Sequence, residues 1–224
     1  MKKEIIISKD GSHTLNVPEL NETYHSIHGA LTESRHVFIK MGIDKLPNVK
    51  NEINVFEVGF GTGLNAMTTL EWLESHPMKK IRYHSIEAFP VDLNIIEKLN
   101  YGSLFNFNNS QSFYTNIHEV RWDENIKISS QFELQKIHKK MGDNELHKDY
   151  YDCIYFDAFA PNKQGEMWEM SIIEKCYKAL VVGGRFVTYC AKGQLKRDLK
   201  AIGFEVEMVA GPPGKREMTT AIKK

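Results

Sequence analysis

The run Val55-Phe56-Glu57-Val58-Gly59-Phe60-Gly61-Thr62-Gly63-Leu64-Asn65 joins an apolar strand to a helix start through a turn with three glycines in five positions. Glycine admits φ > 0 and leaves no Cβ between the backbone and a bound group. The N–H groups that open the following helix are unsatisfied and attract electron-rich atoms. Such an element belongs at the carboxyl end of a strand in an α/β sheet, where ligands bind. Its spacing is GxGxG, not the GxGxxG of dinucleotide sites. Glu57, just before the turn, would repel a pyrophosphate but attract a sulfonium or an ammonium. Taken alone, the residues also fit a glycine turn with no ligand.

The rest of the chain supplies the sheet. Strands are expected at Ile53–Val58, Ile81–Glu87, Phe132–Ile137, Cys153–Asp157, Arg185–Cys190, Phe204–Val209 and Glu217–Ile222. Helices are expected at Gly63–Ser75, Val91–Leu99, Glu166–Leu180 and Lys192–Ala201. This alternation predicts a mostly parallel sheet covered on both faces. The last two strands are joined by Ala210-Gly211-Pro212-Pro213-Gly214-Lys215, too short for a crossover, so they form an antiparallel hairpin. A seven-stranded Rossmann-like α/β sheet ending in such a hairpin is typical of S-adenosylmethionine-dependent methyltransferases. Residues 1–50 read as an N-terminal β/α extension: strands around Ile5–Ile7 and Thr14–Val17, then a helical stretch from Ser26 to Met41. In that stretch Ile27, Ala30, Leu31, Val37, Phe38 and Met41 are expected to face inward, and Lys45–Lys50 reads as a linker to the main domain, 51–224.

Composition excludes several classes. No apolar run approaches the roughly 18–20 residues that span a bilayer. Met1-Lys2-Lys3-Glu4 is followed only by Ile5-Ile6-Ile7, too short for a signal-peptide core, so no membrane and a cytoplasmic location are expected. The three cysteines, Cys153, Cys176 and Cys190, sit in apolar stretches without metal-ligand spacing, and no metal is expected. The 29 basic and 29 acidic residues cancel, which counts against a generic nucleic-acid binder. From Lys192 onward, however, eight basic residues face four acids. That local excess suits a phosphate-facing surface or an ordinary solvated one.

Two further carboxylates end strands. Glu87, followed by Ala88-Phe89-Pro90, can accept hydrogen bonds from both ribose hydroxyls of NAD or of S-adenosylmethionine; it also suits the N-terminus of a helix at Val91–Leu99. Asp157, followed by Ala158-Phe159-Ala160-Pro161, should face the same crevice as the glycine turn. There it could hold an attacking nitrogen and take its proton, with Phe159 packing over a base or near a sulfonium. The other reading of Asp157 is a local loop cap.

Together these elements resemble the 5-aminomethyl-2-thiouridine methyltransferase family of the tRNA wobble-uridine pathway, found alone or as the N-terminal half of a bifunctional enzyme. The resemblance rests on Tyr24-His25-Ser26, Gly29, Glu33–Phe38, Phe56–Asn65, Glu87-Ala88-Phe89-Pro90, Phe156–Pro161 with Met167-Trp168, and Gly214–Met218. It implies methyl transfer from S-adenosyl-L-methionine to the aminomethyl nitrogen of uridine 34, with the tRNA anticodon stem-loop as partner. It implies a cofactor lined by Glu57, Gly59, Phe60, Gly61, Gly63, Asn65, Glu87, Ala88 and Phe89, and a catalytic Asp157. Substrate contacts would come from Tyr24, Ser26, Glu33, Ser34, Phe159, Pro161, Trp168, Lys215, Arg216, Glu217 and Met218. Two departures stand out. Lys136–Asp143 is basic where family members usually carry an acid at the adenine, so no adenine ligand is carried over. No second glycine fingerprint is present, so no flavin oxidoreductase domain is expected. An NAD-dependent oxidoreductase, a non-catalytic RNA-binding module, and a methyltransferase of small amines or proteins are the competing readings.

Overall fold

The computed structural model describes residues 1–47 and 50–224, so Asn48 and Val49 of the expected linker lie outside the described residues. The chain opens with β1 (Glu4–Ile7), β2 (His13–Val17) and β3 (Glu22–Thr23), an antiparallel sheet in that order. The turn between β1 and β2 serves the helix that follows, α1 (Ala30–Ser34). The backbone N–H groups of Ala30, Leu31 and Thr32, which an isolated helix leaves unpaired, donate to Ser8 Oγ, Ser12 Oγ and Asp10 Oδ2. Asp10 also accepts from Ser8 Oγ, from Thr32 Oγ1 and from both the amide and the hydroxyl of Ser12. Burial alone would raise its carboxyl, but these bonds hold it well below the ordinary range. Gly29 has φ +140°, and a Cβ there would lie 2.7 Å from Asp10 Oδ2.

The helical stretch therefore starts at Ala30, later than the sequence suggests, and continues as a π-helical turn at Arg35–Lys40. Ala30, Leu31, Val37 and Phe38 are buried as expected, whereas Ile27 is 51% exposed because it lies in the loop before the helix.

The main sheet begins with β4 (Glu52–Val58), followed by α2 (Leu64–Glu74) and β5 (Lys80–Ile86). Then come α3 (Leu93–Ile96), α4 (Tyr101–Leu104), α5 (Ser110–Glu119), β6 (Asn125–Lys127) and β7 (Phe132–Ile137). The chain closes with β8 (Tyr151–Phe156), α6 (Met170–Ala179), β9 (Leu180–Thr188), α7 (Gly193–Ile202), β10 (Phe204–Ala210) and β11 (Glu217–Lys223). The strand order is β10-β11-β9-β8-β4-β5-β7-β6, with the terminal hairpin antiparallel as expected. Eight strands are present among the described residues of this sheet, not seven. The extra one, β6, is three exposed or half-exposed residues paired antiparallel on the edge of β7, too short to show a periodic pattern. The expected helix at Val91–Leu99 shrinks to α3, and that at Glu166–Leu180 splits at Glu169 into a 3-10 turn and α6.

β4 sits at the centre because both its faces are apolar. Val55 packs with Met67 and Tyr83 under α2, and Phe56 packs with Ile154 and Phe186 on the opposite side. α2 is buried on nearly every side, since α1 and the π turn cover the face it turns away from the sheet. β5 extends the sheet on one side of β4 and β8 on the other. The chain direction thus switches at β4/β8, and the crevice beyond their carboxyl ends is where a ligand belongs. No helix among the described residues is long and apolar enough to cross a membrane.

Asp10→Ala should cost about 2–3 kcal/mol of unfolding free energy, since it strips charge-assisted bonds from the α1 terminus. Urea titration near neutral pH measures it; an unchanged midpoint would contradict this capping role.

Candidate active site

Register places the first site group. Glu57 on β4 lies opposite Ser85 on β5 and Tyr155 on β8. Alternation along β4 turns its side chain to the same face as Val55, toward α2. The carboxyl is fully buried. It accepts from Ser85 Oγ (2.6 Å) and from Asn65 Nδ2 (3.0 Å). Asp157 follows β8 on the same face, and its Oδ2 accepts from the same Asn65 Nδ2 at 2.8 Å. One amide group therefore holds two carboxyls. Asn65 Oδ1 in turn accepts from Ser34 Oγ at 2.6 Å, tying the pair to α1. Burial pushes Glu57 up to about 8, against its bonds from Ser85 and Asn65, and the nearby Asp157 adds to the rise. Burial likewise raises Asp157 to about 7; the Asn65 bond opposes this, Glu33 adds to it and Lys215 offsets it. The hydroxyls of Tyr83 and Tyr155 beside Glu57 are buried with no hydrogen-bond partner among the described residues.

The glycine turn adopts the expected conformation. Gly59, Gly61 and Gly63 have φ of +94°, +50° and +72°. A Cβ at Gly59 would lie 2.8 Å from Asp157 O, so the turn and the β8 loop can meet only through glycine. Glu87 closes the turn, accepting from Gly61 N (3.1 Å) and Phe89 N (2.8 Å). Each of its oxygens keeps a lone pair for a further donor.

A cavity of about 520 Å³ opens here, lined by Gly59, Phe60, Gly61, Asn65, Glu87, Ala88, Phe89 and Asp157 among the expected cofactor and catalytic residues. That volume falls in the ordinary range of small-molecule sites. The glycine cradle, a strand-end acid with spare acceptor capacity and a carboxyl-rich floor fit a cofactor with a ribose and a positive centre. Tyr24 and Phe159 also line the cavity, with ring centroids 5.2 Å apart, edge to face.

Other expected residues stand outside it. Glu57 lies beneath the floor, and Gly63 packs on His118. Phe60 does border the cavity, but its ring is buried against His118 and Trp122. Trp168 is buried, donating to Phe159 O at 2.8 Å, so it supports the loop and offers no free face for stacking. Met218 is wholly buried in the core and Glu217 pairs with Lys196. Neither they nor Pro161, Ser26, Glu33, Ser34, Lys215 or Arg216 line the cavity. Ser26 N and Lys215 Nζ both bind Glu33, at 2.7 and 2.5 Å.

Sequence reasoning missed Tyr189 and gave His25 no role of its own, and it placed the Lys136–Asp143 segment at the adenine without naming a ligand there; Tyr189, His25 and Lys139–Asp143 all line the cavity. That loop follows the end of β7, as the strand pattern implies, and its basic residues are what left the adenine ligand unnamed. The basic C-terminal face is also weaker than expected. Lys196, Lys215, Lys223 and Lys224 are spent on Glu217, Glu33, Asp149 and Glu205. All three cysteines are free and buried, and the described residues contain no group of three or more metal-ligating side chains.

A sequence profile described as S-adenosyl-L-methionine-dependent methyltransferase matches residues 108–224. The tRNA 5-methylaminomethyl-2-thiouridine biosynthesis bifunctional protein MnmC of Cupriavidus metallidurans is 29% identical over 235 residues, covering 97% of this chain and 33% of that protein. Its namesake in Leptospira interrogans is 30% identical over 220 residues, covering 89% and 32%. The chain thus spans about a third of the length of these curated relatives. Among solved structures, MnmC2 from Aquifex aeolicus matches with a TM-score of 0.82 at 23% identity, over 100% of this chain and 70% of that one. Streptomyces venezuelae DesVI matches with a TM-score of 0.51 at 10% identity, over 87% and 92%. These two likenesses establish the fold.

The raised Glu57 carboxyl has a consequence for stability. The folded chain binds its proton more tightly than an unfolded chain, whose carboxyl titrates near 4.5, so its contribution is lost as pH climbs from there through about 8. Glu57→Gln removes that slope. Melting temperatures from pH 5 to 9 should show the variant gaining on wild type as pH rises; parallel curves would contradict the buried carboxyl.

Proposed function

Because this chain belongs to the family of S-adenosyl-L-methionine-dependent methyltransferases, we propose that it methylates the 5-aminomethyl group of (2-thio)uridine 34 in tRNA, giving 5-methylaminomethyl-2-thiouridine. The observation that carries this reading is Asp157, held by Asn65 at the cavity floor beside the glycine turn and raised to about 7. S-adenosylmethionine, when bound, supplies an electrophilic methyl group on a positively charged sulfur. Gly59, Gly61 and Asn65 would hold its amino-acid end and Glu87 its ribose.

What the chain must do is present a neutral amine in line with that methyl. A primary amine is mostly protonated in water, and the resulting ammonium has no lone pair for attack. Asp157 accepts a hydrogen bond from the nitrogen, fixes its direction and takes its proton, and its position near neutrality suits that exchange. Most of the rate gain then comes from alignment in a site shielded from water. Tyr24 and Phe159, set edge to face on the cavity wall, offer an aromatic surface for a splayed-out base. The names of the relatives, which concern 5-methylaminomethyl-2-thiouridine biosynthesis, support a tRNA substrate.

A small amine or protein substrate is the second reading, and one observation favours it. Four cations of the C-terminal stretch are neutralised by ion pairs and add little to a phosphate-binding face. Incubation with labelled S-adenosylmethionine and tRNA from cells lacking the endogenous activity, followed by nucleoside analysis, separates the two. Label in 5-methylaminomethyl-2-thiouridine is expected; label confined to protein or small amines would overturn the tRNA assignment.

Asp157→Asn should lower kcat by about 10²-fold or more, the usual scale of a lost acid–base group, with affinity for the uncharged S-adenosylhomocysteine nearly unchanged. In wild type, kcat/KM should rise with pH through about 7 as Asp157 ionises, and the variant should lose that inflection. A variant turning over at the wild-type rate would remove Asp157 from the chemistry.

A further inference from the structure

Lys215 lies on the loop between β10 and β11, next to Gly214 at φ +88°, and its side chain is about a third exposed. Its ammonium sits 2.5 Å from Glu33 Oε1 and 3.9 Å from the centroid of the Tyr189 ring. A carboxylate on one side and an aromatic face on the other are the two features that recognise an alkylammonium. Both partners are fixed. Glu33 is buried, and its other oxygen accepts from Ser26 N at 2.7 Å. Tyr189 lines the main cavity and donates its hydroxyl to Ala158 O at 2.9 Å, one residue beyond Asp157. The charges of Glu33 and Lys215 are both felt at Asp157. A fixed receptor for a primary ammonium thus borders the cavity at Tyr189, with its charges acting on the group that would take the proton, and the primary ammonium it holds is the chain's own.

We propose that Glu33 and Tyr189 form the subsite for the substrate's aminomethyl ammonium, and that Lys215 occupies this subsite until the substrate displaces it. The inference rests on the amine-methyltransferase reading above and adds the recognition step. Exchange of one ammonium for another keeps the charge balance among Glu33, Asp157 and Glu57, so displacement strands no buried carboxylate. The Lys215 side chain then swings out on its glycine-flanked loop. Its charge becomes available to a phosphate of the incoming RNA. Deprotonation by Asp157 follows, since an amine still bound as an ammonium cannot attack.

The test uses 5-aminomethyluridine and, as the control lacking the amine, 5-methyluridine, with binding to the full chain measured in the presence of S-adenosylhomocysteine. Lys215→Met should bind 5-aminomethyluridine about tenfold more tightly than wild type, because the intramolecular competitor is gone. Binding of 5-methyluridine should not change. Adding Glu33→Gln to Lys215→Met should abolish the gain, and this double variant, with no unpaired carboxylate, guards against misfolding of the single one. In wild type, 5-aminomethyluridine should also make the Lys215 amine more reactive toward an acylating reagent, read by peptide mass spectrometry. Equal gains for both nucleosides, no gain for either, or unchanged Lys215 reactivity would overturn the subsite. If wild type methylates aminomethyl-bearing tRNA but these results fail, the subsite is wrong and the reaction stands. If no such methylation occurs, the underlying reading fails by itself.

Discussion

The side-chain amide of Asn65 is the contact on which the site depends. It stands in the first turn of α2, and its two hydrogens are committed to Glu57 and Asp157. That arrangement requires β4 and β8 to run parallel in register, so that Glu57 and the residue after β8 share a face. It requires α2 to begin immediately after Gly63 in the left-handed conformation. It also requires α1 to deliver Ser34 to the amide oxygen, which fixes which way the amide points. The N-terminal segment thus bears on the site through a hydrogen bond to the residue that orients both carboxyls.

The electrostatics follow from that geometry. Burial raises both carboxyls well above their ordinary values, and the neighbouring Asp157 adds to the rise at Glu57. The Lys215 ammonium offsets the rise at Asp157, and it is itself held by Glu33. A floor of this kind is poorly satisfied by neutral ligands and well satisfied by positive ones. A sulfonium and an ammonium are both positive, so cofactor and substrate answer the same need.

Much of this was legible in the sequence because it is local. The glycine turn, Glu87 and Asp157 each end a strong apolar strand, and strand ends map directly onto the crevice of an α/β sheet. The terminal hairpin was legible because six residues cannot hold a crossover. Helix α5 was not, since only Tyr114, Ile117 and His118 of its ten residues are buried and the rest is polar. Tyr189 was missed for a different reason: one aromatic after a strand carries no spacing signal, and its role arises from residues more than twenty positions away on either side. Met218 and Trp168 show the converse. A sequence motif marked them as substrate contacts, but both are buried; Met167 lines the cavity beside Trp168, and neither chain neighbour of Met218 does.

The central claim is that the Asn65-held carboxyls answer the positive charge of cofactor and amine. Calorimetric titration of S-adenosylmethionine and S-adenosylhomocysteine near pH 7, in buffers of different ionisation enthalpy, tests it most directly. The account predicts net proton release on binding S-adenosylmethionine, as Asp157 ionises toward the sulfonium, and less release with the uncharged thioether. Equal release for the two, or proton uptake with S-adenosylmethionine, would contradict it.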